Sequence, residues 1–212
     1  MTPNGIREQK KNNRYSSIVL TAEKLFLENG LDCVQMQDIA DADGIGVATL
    51  FRYFPKKERL IVAVAVSSLE KNVEHFKHIA NGKGSAYERL EQVLDFLMGD
   101  NTEQINQSAK FREAFESYAS FAKNQLDGIE DYIEIQKVIA QIMMRIVEDG
   151  KGDGSIRTDI PVKECIITII NAYGTFGNNI ALKSPISYLE EDIAPKIQQR
   201  MLKEMLLSYL RP

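Results

Sequence analysis

Apolar residues recur at spacings of three and four along almost the whole chain, and this pattern restricts the fold more than any other feature. In the first such stretch they occupy positions 15, 18, 19, 22, 25 and 26. This spacing is typical of one face of an amphipathic helix. No segment alternates convincingly between apolar and polar residues, and no hairpin signal joins two strand-like runs. The sequence therefore predicts an all-α protein of about nine helices.

Glycine, proline and capping residues predict where these helices begin and end. Gly30 follows the first helical pattern as a left-handed stop. Ser85 and Glu88 have the spacing of a capping box at the start of a later helix. Residues 149–161, rich in Gly and Asp, form the strongest predicted break in the chain. A last helix is predicted between Ser187 and Leu210.

Two further features concern that last helix. A second capping box is predicted from Ser187 with Glu190. Pro195 lies inside the same helical pattern. Because proline removes one backbone hydrogen bond and clashes with the preceding turn, we expect a kink or a break there.

The composition is that of an ordinary globular protein. The chain has 212 residues, 44% hydrophobic and 26% charged, a length between one and two typical domains. Its two cysteines, Cys33 and Cys165, lie far apart and match no metal-ligand spacing, which favours reduced thiols inside a cell. The N-terminus lacks the apolar stretch of a secretory signal, and the run Leu60 to Val66 is too short to span a bilayer. We therefore expect a cytoplasmic protein without a membrane partner.

Charge is unevenly distributed. Residues 1–60 hold nine Lys and Arg against eight Asp and Glu, whereas residues 61–212 hold 17 against 22. Four cations, Arg7, Lys10, Lys11 and Arg14, face a single acid, Glu8, before any apolar periodicity begins. One interpretation is a flexible basic arm over residues 1–12, and the alternative is a solvated terminus.

Two short helical patterns joined by Asp43–Gly46 have the dimensions of a helix-turn-helix at about residues 35–54. On a wheel of the second helix, one side holds Leu50, Phe51 and Phe54, and the other holds Ala48, Thr49, Arg52 and Tyr53. The sequence thus predicts that Phe51 and Phe54 are core residues. Val47 lies in the first turn, where either orientation is compatible with the pattern.

The outward side of that helix predicts contacts with DNA. The Tyr53 hydroxyl is expected to reach a phosphate, and Arg52 to contact either guanine or a phosphate. Lys57, at the start of the next helix, is expected to anchor a phosphate with its charge and nearby backbone N–H groups. The alternative is a surface helix with scattered charges.

One family shares many of these positions in order and spacing: Arg14, Ala22, Leu25-Phe26, Glu28, Gly30, Asp38-Ile39-Ala40, Gly44-Ile45, Thr49 to Phe54, Lys57-Glu58 and Leu60. Over about residues 10–62, the chain closely resembles the DNA-binding domain of TetR-family transcriptional regulators. The resemblance implies a helix-turn-helix DNA-binding domain over residues 13–60 and a larger helical domain over residues 61–212, for ligand binding and dimerisation. It also implies DNA contacts from Gln37, Gly46, Val47, Ala48, Thr49, Arg52, Tyr53 and Lys57.

The chain departs from the family pattern at three places. Members usually carry Thr or Ser near Val34 and Gln35, often a polar residue at Gly46 and Val47, and usually Tyr where this chain has Phe51. The missing phenol removes one expected phosphate contact. The missing polar groups shift base reading towards Thr49, Arg52 and apolar contact with thymine methyl groups.

The larger domain is expected to bind a largely apolar effector between its helices. The candidate ligand-binding residues are Phe96, Phe111, Phe115, Tyr118, Met143, Met144, Tyr173 and Phe176. The alternative is that each of them is an ordinary core residue.

The last two helices are expected to form a two-fold four-helix interface with a second copy. Their apolar residues are Ile166, Ile169, Ile170, Tyr173 and Phe176 in one helix, and Ile197, Met201, Leu202, Met205, Leu206 and Tyr209 in the other. Gly174 and Gly177 would allow a partner backbone to approach closely. Two-fold symmetry would place the reading helices about 34 Å apart, one turn of a palindromic operator.

No motif predicts catalysis, a cofactor or a metal site. His75 and His78 lie three apart on a helix, but no third metal ligand is evident. Residues 82–85 lack the full phosphate-loop pattern. We therefore expect a homodimeric repressor that a small molecule releases from operator DNA, rather than an enzyme. The alternative is a helical-bundle enzyme or small-molecule carrier that does not bind DNA.

Overall fold

A computed structural model describes residues 3–98, 103–183 and 195–212. These residues form nine helices and no strand: α1 (Pro3–Asn29), α2 (Met36–Ala42), α3 (Val47–Tyr53), α4 (Lys57–Ala80), α5 (Ala86–Met98), α6 (Glu103–Phe121), α7 (Ile129–Asp153), α8 (Val162–Lys183) and α9 (Pro195–Leu210). The predicted all-α class is confirmed.

The first helix is longer than the apolar pattern indicated. It begins at Pro3, so the segment interpreted as a flexible arm is helical and continues directly into the apolar part of α1. The Arg, Glu, Gln and Lys residues of this segment are good helix formers, which accounts for the extension. The predicted stop is confirmed, because Gly30 has a φ of +84° and its N–H donates to the Phe26 carbonyl at 2.9 Å.

The predicted capping box at the start of α5 is also confirmed. The Ser85 N–H donates to Glu88 Oε2 at 2.8 Å, and the Glu88 N–H donates to Ser85 Oγ at 3.2 Å. The end of α7 and the loop after it add two acceptors, because Ala86 N–H donates to Asp153 Oδ2 at 2.8 Å and Tyr87 N–H to Ser155 Oγ at 3.2 Å. Four polar contacts therefore satisfy the free N–H groups of this helix end.

The predicted break at 149–161 is shorter in the structure. α7 continues through Gly150 and Gly152 to Asp153. Gly150 is buried, and a Cβ there would lie 2.5 Å from Ile156 Cδ1. The glycine thus lets the returning chain pack against the helix. At the other end of the chain, the predicted capping box at Ser187 lies outside the described residues, and the described part of α9 begins at Pro195.

The chain divides into two units, each with its own apolar core. The first comprises residues up to Glu70 together with Phe111–Ile135, and the second comprises Lys71–Lys110 together with Gln136–Pro212. Ile18, Leu50 and Phe115 are among the buried residues of the first core. The second core includes Leu90, Ile146 and Tyr173. The domain boundary at residue 60 stays a prediction.

Within the second unit, α5 packs against both α8 and α9, which also pack against each other. No helix among the described residues has the length and apolarity needed to cross a membrane.

Candidate nucleic-acid interface

The turn between α2 and α3 is held by backbone hydrogen bonds. Ile45 N–H donates to the Ala40 carbonyl at 2.9 Å, and Thr49 N–H donates to the Gly46 carbonyl at 2.8 Å. Gly44 has a φ of +68°, in the left-handed region that glycine adopts with little strain. These features join two seven-residue helices at a sharp turn, as the sequence predicted.

The two faces of α3 differ sharply in exposure. Leu50 is fully buried and Phe54, the residue after the helix, is 1% exposed, whereas Ala48 and Arg52 are exposed and Thr49 is half-buried. Phe51 is 45% exposed, so its prediction as a core residue was wrong. Phe51 lies about 100° from Leu50 around the helix, beyond the narrow stripe that so short a helix buries. Its ring is available to a partner.

Tyr53 and Val47 occupy the edges of the buried stripe. Both are half-buried and pack against the core of the first unit. Tyr53 was expected to face outwards, but only part of its side chain does so. For Val47, the structure resolves the open choice, because its side chain packs inwards.

Other predicted contact residues already have partners within the protein. Arg52 Nη2 donates to Thr49 Oγ1 at 3.2 Å, and both side chains line the outer face of α3. Gln37 is exposed near the start of α2, and its Nε2 donates to Asp41 Oδ1 at 2.8 Å. These hydrogen bonds restrict the side chains in advance of binding, while Arg52 keeps further donors for a base or a phosphate.

Lys57 is the first residue of α4, as predicted. Its Nζ donates to the Asp32 carbonyl at 3.1 Å. The ammonium group has three donors, so this bond leaves two for an anion. It also ties the start of α4 to the loop after α1.

Asp43 attaches the turn to α1, a role that the sequence analysis missed. Its carboxylate, 2% exposed, accepts hydrogen bonds from Ser17 Oγ at 2.5 Å, Thr21 Oγ1 at 3.0 Å and Arg14 Nη1 at 3.2 Å. A buried carboxylate needs such partners to be tolerated. Asp43 therefore fixes the turn that precedes α3.

The start of α2 lacks the usual Ser or Thr, but Asp38 compensates in part. The Gln35 N–H donates to Asp38 Oδ2 at 2.8 Å. This bond satisfies a backbone donor at the helix entry. The departure at Val34 and Gln35 thus leaves α2 formed.

A groove connects the first half of α1 with the outer face of α3. It is lined by Arg7, Lys10, Lys11, Asn13, Arg14, Ser17, Thr49, Arg52 and Tyr53. The sequence singled out the four α1 cations but did not place them beside α3. The signal for their placement was the helix-forming character of the segment, which continues the same helical face.

The predicted ligand-binding residues divide between the two cores. Phe111 and Phe115 are buried in the first, and the partly buried Tyr118 packs against the same core. Met143 and Tyr173 are buried in the second, with Phe96 and Met144 packed against it, and Phe176 is half-buried. Tyr173 is chemically distinct, because its hydroxyl is buried without a hydrogen-bond partner among the described residues. Burial, and secondarily the charge of Asp95, raises the pKa of this phenol, so it stays protonated.

The predicted interface residues are also sorted by the structure. Ile166, Ile169 and Tyr173 point into the core of their own unit and are unavailable to a second copy. Among the residues of these helices whose burial is described, the exposed large apolar side chains are Ile167 in α8 and Ile197, Met201, Met205 and Tyr209 in α9. Gly174 has open space beside its Cα, whereas Gly177 lies outside the residues whose surroundings are described.

His75 stacks on Phe96, with ring centroids 3.9 Å apart. Within the described ranges, no group of three His, Cys, Asp or Glu side chains has the arrangement of a metal site.

Comparison with known proteins identifies the family to which the helix-turn-helix region is similar. The sequence profile of the bacterial regulatory proteins, tetR family, matches residues 18–64. An HTH-type transcriptional regulator of Staphylococcus aureus (strain USA300) is 33% identical over 137 residues, which are 58% of this chain and 74% of that protein. The same name and figures apply to a regulator from Staphylococcus aureus (strain NCTC 8325 / PS 47).

Solved structures share the fold. The fatty acid degradation regulator FadR of Bacillus halodurans matches with a TM-score of 0.69 at 17% identity, covering 93% of this chain and 100% of that one. FadR of Bacillus subtilis, solved in complex with stearoyl-CoA, matches with the same TM-score and coverage at 20% identity. Together with the helix-turn-helix geometry, these findings show that the chain belongs to the tetR family of bacterial DNA-binding transcriptional regulators.

Proposed function

We propose that this protein is a homodimeric repressor that reads a palindromic operator with α3 and releases it when a largely apolar small molecule binds. The observation that carries the proposal is that Leu50 of α3 and Phe54, which follows the helix, are buried, whereas Arg52 lies on the exposed face of α3. A short helix anchored in this way can enter the major groove as one rigid element.

The proposal assigns base reading to the outermost side chains of α3. Arg52 has the donor geometry for guanine, while Ala48 and Phe51 offer apolar contact to thymine methyl groups. Thr49 accepts a hydrogen bond from Arg52 and so positions the Arg52 guanidinium group. Phe51 joins the candidates because its ring is exposed.

The remaining candidates are assigned to positioning the helix on the phosphate backbone. Lys57 and Gln37 offer polar donors, the Gly46 backbone lies at the start of α3, and the phenol of Tyr53 lines the groove beside Arg52. Val47 supports α3 from the core side. Phosphate contacts of this kind fix orientation and carry no sequence information directly.

The DNA assignment is tested by selecting bound fragments from the source genome and measuring operator affinity by fluorescence anisotropy. Arg52→Ala should weaken binding by about 1 to 3 kcal/mol at the base pair that Arg52 reads and relax the sequence preference there. Lys57→Ala should weaken binding to every duplex and flatten the dependence on salt. Parent-like binding by both variants would remove α3 from the interface.

We assign dimerisation to the exposed apolar residues of α8 and α9. Ile197, Met201, Met205 and Tyr209 follow one another at spacings of four, so they lie along one side of α9. Ile167 and the open space beside Gly174 supply a neighbouring surface on α8. An apolar stripe of this kind suits a two-fold interface in which the same patch faces itself.

We place the effector site in the second unit, around the Tyr173 hydroxyl. An unpartnered buried hydroxyl carries a desolvation penalty that a ligand carbonyl or amide would relieve. The apolar core to which Tyr173 belongs favours a mainly apolar ligand. Stearoyl-CoA, which the similar Bacillus subtilis protein binds, is therefore the first probe.

The effector assignment is tested with Tyr173→Phe, which keeps the ring and removes only the hydroxyl. The variant should be as stable as the parent or more so, because no polar group remains unsatisfied. If stearoyl-CoA binds at this site, it should raise the Tm of the parent more than that of the variant, and it should release only the parent efficiently from the operator. Equal responses would exclude a contact between Tyr173 and this ligand.

A further inference from the structure

We propose that the first half of α1 forms a second DNA-binding surface, a row of cations that grips the phosphate backbone beside the base-reading face of α3. Arg7, Lys10 and Lys11 form this cation row, and Arg14 closes its inner end. The inference extends the proposed function, because it rests on α3 meeting DNA.

The charge of the groove selects the partner. Its lining contains five cations, Arg7, Lys10, Lys11, Arg14 and Arg52, and no acid. The chain as a whole has a net charge of −4, so positive charge is concentrated here against the general balance. Such a patch fits a polyanion. The same lining includes Thr49 and Arg52, which are assigned to DNA in the proposed function. Duplex DNA is therefore the polyanion that would lie beside the α1 cations.

The helix geometry aligns the row. Positions 7, 10, 11 and 14 are three or four residues apart and share one face of α1. Further along, the same face is buried at Ile18 and Ala22. Arg7 and Arg14 are therefore separated by about 10 Å along the axis, at 1.5 Å per residue. This length matches about three base-pair steps of a duplex.

The cations of the row are free to bind a partner. Arg14 is committed in part to Asp43, but Arg7, Lys10 and Lys11 are exposed and make no hydrogen bond or ion pair with any described residue. Two pairs of like charge, Arg7 with Lys11 and Lys10 with Arg14, stand four residues apart, which disfavours the helix. No acid occupies the first turn to offset the helix dipole. Bound phosphates would relieve both effects.

The test compares two triple variants of the full chain with equal loss of charge. Arg7→Gln/Lys10→Gln/Lys11→Gln removes the row and keeps good helix formers. The control, Lys83→Gln/Lys110→Gln/Arg145→Gln, removes the same residue types from exposed positions of the second unit. Affinity is measured against salt concentration on the selected operator and on a random duplex of equal length. Circular dichroism verifies that both variants keep the parent's helix content.

The row variant should lose affinity for both duplexes by the same factor, leaving their ratio unchanged. The slope of log K against log salt should flatten by about 2 to 3 for each protomer, since each phosphate contact contributes about 0.9. A slope equal to the control's would overturn the inference while α3 kept its role. A changed ratio would mean that the row reads bases instead of phosphates. Failure of the parent to bind either duplex in dilute buffer would overturn the proposed function, and the inference with it.

Discussion

Phe51 in α3 and Phe54, the residue that follows this helix, lie three positions apart, yet one side chain is exposed and the other is buried. Phe54 is buried and packs against the tilted ring of Tyr15, with ring centroids 5.0 Å apart. Phe51 has nearly half of its surface open. The same side chain therefore contributes to stability at one position and remains available to DNA at the other.

Truncating each ring tests this separation. Phe54→Ala should destabilise the protein by about 3 to 5 kcal/mol, as expected for a phenylalanine removed from a packed core. Phe51→Ala should stay within about 0.5 kcal/mol of the parent in urea unfolding. It should nevertheless lower operator affinity, because an apolar contact to DNA is lost. If Phe51→Ala lowered the free energy of unfolding as much as Phe54→Ala, Phe51 would have to be a core residue after all.

For single residues, the helical wheel correctly predicted the side chains whose direction on the wheel is clear. It placed Leu50 and Phe54 inwards and Arg52 outwards, because their angles are unambiguous. Phe51 lies at the edge of the stripe, where burial depends on how wide a surface the neighbouring helices cover. The partners of Asp43 lie 22 to 29 residues away on α1, so no local pattern identifies them.

Among helices, the glycines near the end of α7 give a matched pair of substitutions. Gly152→Ala should stabilise the protein by up to about 1 kcal/mol, because alanine favours the helix and its Cβ would meet nothing within 4 Å. Gly150→Ala should destabilise by about 1 to 3 kcal/mol, because its Cβ would overlap Ile156 and crowd Ala86. Thermal unfolding of both variants measures the difference. A gain in stability from both would show that the chain after α7 does not pack closely there.

The cap that Asp153 provides for α5 should make stability depend on pH. Hydrogen bonds from Ser155 and from the Ala86 N–H lower the pKa of this carboxyl. A lowered folded-state pKa contributes stability above the ordinary value of about 3.9, and the contribution disappears as pH falls through the lowered value. Asp153→Asn should thus be less stable than the parent at neutral pH, by about 1 kcal/mol as for a lost cap.

The difference should shrink in urea unfolding as the pH falls below about 4. Glu116→Gln, at an exposed position of α6, is the control and should stay within about 0.5 kcal/mol of the parent. A constant gap for Asp153→Asn across the pH range would contradict the assigned cap. The sequence predicted the Ser85 and Glu88 box, because these residues are only three positions apart. It did not predict the contact with Asp153, which lies 67 residues from Ala86 in the sequence.

For the whole molecule, the central expectation is a dimer formed through α9. Met205 is the most exposed residue of its apolar stripe, at 64%, so Met205→Asp should leave the fold intact and place a charge in the interface. The variant should be monomeric by light scattering. Its operator affinity should fall by about 10² or more, since two linked half-sites reinforce each other.

Leu20→Asp supplies the matched control, because Leu20 is an apolar side chain of similar exposure, 55%, on α1. It should remain dimeric. A Met205→Asp protein that stays dimeric at the same concentration would move the interface away from this stripe.

At the scale of the chain, periodicity was enough to predict an all-helical fold, because every helix carries an apolar face of its own. Periodicity was not enough to predict which aromatic residues pack in the same core. Phe115 and Tyr173 have the same pattern in sequence, but one packs in the first core and the other in the second. Which helices share a core is a property of tertiary packing that spacing does not encode.

The hydrogen bonds from Arg14, Ser17 and Thr21 to Asp43 hold α1 in a fixed position relative to the turn before α3. Because these hydrogen bonds attach the turn to α1, the number of residues between each cation and Arg14 sets the direction in which that cation points relative to α3. One residue inserted between Lys11 and Arg14 would rotate everything upstream by about 100° without altering a single side chain. We therefore expect such an insertion to weaken DNA binding as much as the loss of the cations themselves.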